Sequence, residues 1–169
     1  MGCDIHAYVE YKSQYFAEED DHPHYYLFAD LCLRRNYRMF ALMAGVRAYE
    51  GHEILYMPRG LPEHVDYRIM AQYTLYVALD VDEPSRECTP EEAERYIKAG
   101  WSKWWDEKHT RITHPDWHHA SWLSASEFEQ CLDAYGKRYG DVPLDYKATL
   151  DAMLSLGRGI SRLVFWFDN

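Results

Sequence analysis

The chain has 169 residues, of which 47% are hydrophobic and 27% charged. That length and balance exclude a fully disordered chain and remove the need for covalent staples. With 18 Lys and Arg against 28 Asp and Glu, the formal charge is −10, which excludes a general coat for long nucleic acid or an anionic membrane.

Cys3 to Tyr11 alternates, with Ile5, Ala7, Val9 and Tyr11 on one face and Asp4, His6, Tyr8 and Glu10 on the other. Period two over nine residues predicts a strand. The acidic run from Glu18 to Pro23 predicts a loop, and Tyr25 to Leu33 fits a strand or a short helix. Asn36 before YRMFALMAG is a favoured N-cap, and Gly45 a favoured left-handed stop. Val46 to Pro62 is expected to be a loop containing Pro58-Arg59-Gly60-Leu61-Pro62. A helix is expected over Glu63–Tyr73 and a strand over Leu75–Val81. Thr89-Pro90-Glu91-Glu92 carries a capping-box signature for a helix ending at Gly100. Trp101 to Trp122 is rich in Trp and His and predicts irregular structure. Ser124 and Glu127 form a second capping box for a helix to about Tyr139. Pro143 to Leu156 predicts another helix, and Ile160 to Phe167 a closing strand with Leu163, Phe165 and Phe167 on one side. The order predicts a single α+β domain over residues 1–169, with the first and last strands in one small mixed sheet packed with helices. An insertion is expected at about residues 75–108.

The cysteines, Cys3, Cys32, Cys88 and Cys131, contain no CxxC pair, so free thiols are expected rather than a cysteine zinc site. No run approaches the roughly 18 apolar residues of a membrane helix, and no leader pattern precedes the first strand. The expected location is the cytoplasm, with no membrane partner.

Five segments occur together in order: MGCDIH at the start, RNYRMFALMAGVR, PRGLP, DWHHASWL before a capped helix, and RLVFWFDN at the end. In this the chain resembles a family of bacteriophage and prophage proteins. The likeness covers the first sixty-odd residues, about residues 116–128, and the last eight. The family usually reads DGHSHSWL where this chain has Asp116 to Leu123, so His118 and Ser121 keep their places while the second histidine falls one residue earlier. The resemblance implies a host-bacterium cytoplasm and, by analogy, an anti-defence role.

Candidate chemistry falls in three groups. Asp4 and His6 lie on one strand face with Cα atoms about 6.6 Å apart, close enough to converge on a metal, phosphate or water, while Glu10 lies about 13 Å from His6. The plainer alternative is a structural pair or a solvated sheet face. His118 and Ser121, with Trp122 beside them, precede a helix N-terminus, where outward amides favour an anion; His114 and His119 read as bystanders, and loop packing is the plainer alternative. Arg38, Arg47 and Arg59 offer guanidinium forks for phosphate or carboxylate, against the commoner fate of pairing with acidic side chains. No phosphate-binding glycine loop, dinucleotide fingerprint, HExxH or GxSxG occurs. The leading expectation is a protein that binds a small anionic, nucleotide-like ligand and sequesters a host defence signal. One alternative is a divalent-metal-dependent hydrolase or phosphodiesterase with Asp4, His6 and His118 as ligands. Another is an inhibitor that contacts a host protein. A homo-oligomer is compatible with each.

Overall fold

A computed structural model describes residues 2–13, 23–77, 88–100, 103–105 and 110–169, with backbone only for 103–105 and 110. Its elements are β1 (Ile5–Lys12), β2 (Tyr25–Leu31), α1 (Tyr37–Ala44), α2 (Tyr67–Tyr73), β3 (Thr74–Val77), α3 (Pro90–Lys98), β4 (Lys103–Trp105), β5 (Thr110–Thr113), β6 (His118–Ser124), α4 (Ala125–Tyr139), α5 (Leu144–Leu156) and β7 (Ser161–Phe167). The fold is α+β. The chain divides into two compact units, one made of Met1–Asp66 with His118–Asn169 and one of Tyr67–Trp117. The second unit encloses the segment 75–108 and extends beyond it on both sides.

The first unit is a four-stranded sheet in the order β2-β1-β7-β6. All its neighbours are antiparallel, so the first and last strands lie side by side, with His6 opposite Trp166 and Val9 opposite Leu163. The alternation read in β1 and β7 places Ile5, Ala7, Val9, Leu163, Phe165 and Phe167 on the face covered by helices, where they join Phe40, Met43, Phe128, Tyr146 and Met153 in one core. Each large apolar side chain sealed there contributes roughly 1.5–3 kcal/mol. The other face is buried as well at Tyr8, Glu10, Arg162, Val164 and Trp166, so every residue of β7 is buried. The solvated-face alternative for β1 therefore does not hold at Tyr8 and Glu10.

Helix starts follow the caps. The Asn36 side chain accepts the Met39 N–H, and Gly45 ends α1 at φ 64°, a conformation that costs glycine little. Ser124 and Glu127 bond reciprocally at the start of α4, as do Thr89 and Glu92 at α3. Two expectations need correction. The helix expected from Glu63 begins only at Tyr67. His64 takes a left-handed φ of 55°, the Asp66 N–H goes to the Glu10 carboxylate, and the Glu63 carbonyl accepts from Arg162. These bonds hold residues 63–66 as a strap rather than a helical turn. The stretch 101–122, expected to be irregular, contains β4, β5 and the start of β6. The β6 ladder shifts register between His118 and Ser121, and this bulge hides the strand period from the sequence.

The second unit holds a three-stranded antiparallel sheet, β3-β5-β4, with α2 and α3. Val77, Cys88, Ala93 and Ile112 form its own small core. The strand expected to reach Val81 is observed to Val77, and the acidic loop lies almost wholly outside the described residues. Among the described residues no helix is long and apolar enough to cross a membrane. All four cysteines are free thiols.

Candidate functional site

The antiparallel pairing of β1 with β7 brings the first residues of the chain beside the last, and β6 arrives on the other side of β7. Polar groups converge at that end of the sheet. Asp168 is the hub. Its Oδ1 accepts the Asp4 N–H at 2.9 Å, and its Oδ2 lies 3.0 Å from His6 Nε2. Its own N–H donates to the Asp4 carbonyl at 3.2 Å. Its carbonyl oxygen lies 3.2 Å from His118 Nε2. A carbonyl only accepts, so His118 carries its hydrogen on Nε2. The other nitrogen of His118, Nδ1, lies 2.6 Å from His119 Nδ1, so one of the two rings donates to the other. The His119 backbone is left-handed, with φ 52°, which is uncommon outside glycine. Partial desolvation and the adjoining His118 hold the His119 imidazole below its ordinary pKa. Arg47, also left-handed at φ 52°, reaches Asn169 Oδ1 at 3.4 Å. Four residues singled out in the sequence, Asp4, His6, Arg47 and His118, thus belong to one end of one sheet.

The metal reading of that set is corrected. Among the described residues no three His, Cys, Asp or Glu side chains are placed to hold a metal ion. The reason is visible at Asp4. Arg35 holds both of its carboxylate oxygens, with Nε 2.8 Å from Oδ1 and Nη2 2.7 Å from Oδ2. A guanidinium takes up the lone pairs that Asp4 would offer a metal, and this bond holds the Asp4 carboxyl below the usual range. Gly2 makes room for Arg35, because a Cβ there would lie 2.6 Å from the guanidinium carbon.

Three other expected site residues serve the fold. Ser121 is fully buried opposite Phe165, inside the packed sheet, and among the described residues its hydroxyl has no hydrogen-bond partner. Arg59 donates from Nε to the Trp122 carbonyl and from Nη2 to Glu127, both at 2.9 Å, and lies 4.3 Å over the Trp122 ring. It pins the 46–62 loop to β6 and α4. Trp122 is the platform for that stack, not an open pocket wall. His114 and Asp116 fall in the second unit.

Arg38 lines a pocket of about 380 Å³ at the start of α1, with Arg35, Asn36, Tyr37, Tyr49, His52 and Tyr135. The Asn36 amide donates to Tyr135 Oη at 3.2 Å and fixes one wall. Tyr49 meets Tyr37 and His52 edge-on, with ring centroids 6.2 and 5.6 Å apart. The Tyr49 N–H points to His52 Nδ1 at 3.4 Å, which leaves the His52 hydrogen on Nε2. The first turn of α1 carries no acidic residue. Its first intrahelical bond runs from Phe40 N–H to the Asn36 carbonyl, so the N–H groups of Tyr37 and Arg38 precede the helical ladder. Helix dipole and side chains therefore have the same sign here.

No protein-family model matches the chain, no curated protein matches its sequence, and no solved structure matches its fold. Function therefore has to be read from the site. Sequence reasoning missed Arg35, His52, Tyr49, Tyr135 and Asp168, and set His119 aside as a bystander. Arg35 and Arg38 flanking an Asn cap was the legible signal for the pocket. The closeness of Asp168 to His6 depends on a strand pairing 162 residues apart in the chain.

Proposed function

We propose that the chain binds a small anionic ligand, nucleotide-like in having both negative charge and a planar ring, in the pocket at the start of α1. The supporting observation is that pocket: about 380 Å³ lined by two arginines, a histidine and three tyrosines. That volume falls within the usual range for small-molecule sites. Arg38 is the principal anion contact, since among the described residues it has no carboxylate partner and rests 4.8 Å over the Tyr139 ring. Arg35 is already neutralised by Asp4 and contributes donors rather than net charge. Tyr37 and Tyr49 supply faces for a planar ring. The resemblance to phage proteins supports sequestration of a host nucleotide signal as the role.

The test is a thermal-shift panel of nucleotides, with mass spectrometry of small molecules released from the purified protein. A ligand at 100 times its Kd stabilises by about 2.7 kcal/mol and comes off intact. Loss of a charge-assisted contact in Arg38→Ala is expected to weaken binding about 10- to 150-fold, corresponding to about 1.5–3 kcal/mol. If no anionic ligand raises the melting temperature, or Arg38→Ala binds as tightly as the parent, the proposal is wrong.

A further inference from the structure

The lining of the α1 pocket is rich in hydrogen-bond donors and contains no carboxylate. Arg35 is held on Asp4 through Nε and Nη2, but the other donors are unspent among the described residues. Arg38 has no carboxylate partner and lies over the Tyr139 ring. The N–H groups of Tyr37 and Arg38 stand ahead of the first helical bond, which runs from the Phe40 N–H to the Asn36 carbonyl. His52 Nδ1 faces the Tyr49 N–H, so the His52 hydrogen is on Nε2. Tyr135 is the most telling member. It is only 8% exposed, and its oxygen already accepts from the Asn36 amide at 3.2 Å. The side-chain oxygen of Asn36 is taken up by the Met39 N–H. The Tyr135 hydroxyl hydrogen therefore has to find an acceptor elsewhere, and among the described residues it has none. Leaving such a donor unmade is costly, and Tyr135 lines the cavity, so an acceptor arriving there relieves the cost.

We infer that this pocket selects a terminal phosphate, meaning a phosphate monoester or the end of a polyphosphate, over a phosphodiester. The inference rests on the binding function proposed above and names the ligand class of that site. A phosphodiester, linear or cyclic, carries a single negative charge and two free oxygens. A monoester has three free oxygens and about 1.5–2 negative charges at pH 7. The donors come from three parts of the fold. The start of α1 supplies Arg38 and two amides, the 46–62 loop supplies His52, and α4 supplies Tyr135. A monoester offers each of them a charged oxygen. A diester turns an alkylated oxygen, a poor acceptor, toward one of the three. The second charge is also welcome, because Arg38 and the start of the helix are both positive and neither the lining nor the first turn of α1 holds an acidic residue. Arg38 holds either class of phosphate, and Tyr135 and His52 set the preference between them.

The experiment titrates the full chain calorimetrically, at about pH 7.5 where the monoester is close to a dianion, with the common ribonucleoside 5′-monophosphates. The 5′-methyl phosphate ester and the 3′,5′-cyclic phosphate of each nucleoside are titrated alongside, so that base and ribose stay constant and only the phosphate changes. At least one monophosphate is expected to bind, at least about tenfold tighter than its methyl ester and its cyclic form, which is the loss of one charge-assisted contact. Tyr135→Phe and His52→Phe each keep a ring and delete a donor, and each is expected to shrink that ratio at least about threefold. His52 is only half-buried, so its variant keeps the test open if Tyr135→Phe fails to fold. Arg38→Ala is expected to weaken both phosphate classes together. Equal affinity for a monophosphate and its diesters, or a ratio unchanged in the folded variants, overturns the inference and leaves the binding function standing. If no form binds, the binding function fails and this inference with it.

Discussion

Replacing Arg162 with methionine tests how the strap of residues 63–66 is held against the sheet. Glu10 is fully buried and Arg162 is 8% exposed. Arg162 Nε lies 2.5 Å from Glu10 Oε1, Nη2 donates to the Glu63 carbonyl at 3.0 Å, and the guanidinium lies 3.5 Å from the Tyr25 ring centre. The other Glu10 oxygen accepts the Asp66 N–H at 2.9 Å. Arg162→Met leaves a buried carboxylate with one backbone donor, and breaking such a pair from one side costs about 3–5 kcal/mol. For a chain of this size that lowers Tm by about 6–20 °C. The double variant Glu10→Leu/Arg162→Met removes both charges and is expected to recover most of the loss, because the desolvation penalty disappears with the pair. Burial already raises the Glu10 pKa, against the lowering influence of Asp66 and Arg162. Without Arg162 the native carboxyl holds its proton to higher pH than the unfolded chain does. The stability of Arg162→Met therefore falls as pH rises from about 4.5, the unfolded value, through the raised native value. Urea unfolding of the four-member cycle at pH 5 and pH 8 measures both effects. A single-variant cost under about 1 kcal/mol, or additivity across the cycle, refutes the reasoning.

Ser121→Ala removes a buried hydroxyl that has no partner among the described residues and is expected to raise stability by about 1 kcal/mol, with ligand binding unchanged; a loss of that size in urea unfolding contradicts the core placement. Burial raises the Glu127 pKa, but Arg59 and the Ser124 amide and hydroxyl overcome it, so the carboxyl titrates below its ordinary 4.5. Its contribution to stability is present above 4.5 and is lost as pH falls through the lowered native value. Arg59→Ala is expected to narrow that loss and to move the Glu127 carboxyl resonance upward in an NMR titration, without weakening ligand binding. Burial pushes the Cys131 thiol up to about 12 and also raises Cys3 and Cys88, whereas Cys32 is exposed. A thiol reagent is expected to label one cysteine promptly in the native chain and four after denaturation; rapid labelling of a second refutes the burial assignment.

The elements legible in the sequence are those whose information is local. Two capping boxes, an Asn cap and a glycine stop define α1, α3 and α4 because each bond joins residues three or four apart. The pairing of the first and last strands was legible because both alternate. What escaped depends on bonds between distant residues. The Glu63–Asp66 segment has helical composition, but Glu10, Leu27 and Arg162 take up its polar groups. The stretch before Ser124 looks irregular because a bulge and a left-handed His119 interrupt a strand whose ladder to β7 is otherwise regular.

The same distinction divides the candidate site. Asp4, His6 and His118 were found from residue type and spacing, and the structure gathers them around Asp168, His6 on its carboxylate, the Asp4 N–H on the same carboxylate and His118 on its main-chain carbonyl. No spacing rule joins His6 to Asp168, because their contact follows from strand order alone. Arginine shows the same limit more sharply. Arg59, framed by proline and glycine, was the most conspicuous of the three in the sequence, and the fold uses it on Glu127 and Trp122. Arg38 sits in an unremarkable first helical turn beside a pocket, and among the described residues its charge has no carboxylate partner. Whether a guanidinium is available to a ligand depends on which carboxylates reach it. In a chain with 28 acidic residues that is decided by tertiary pairing, so the arginine to mutate first is Arg38.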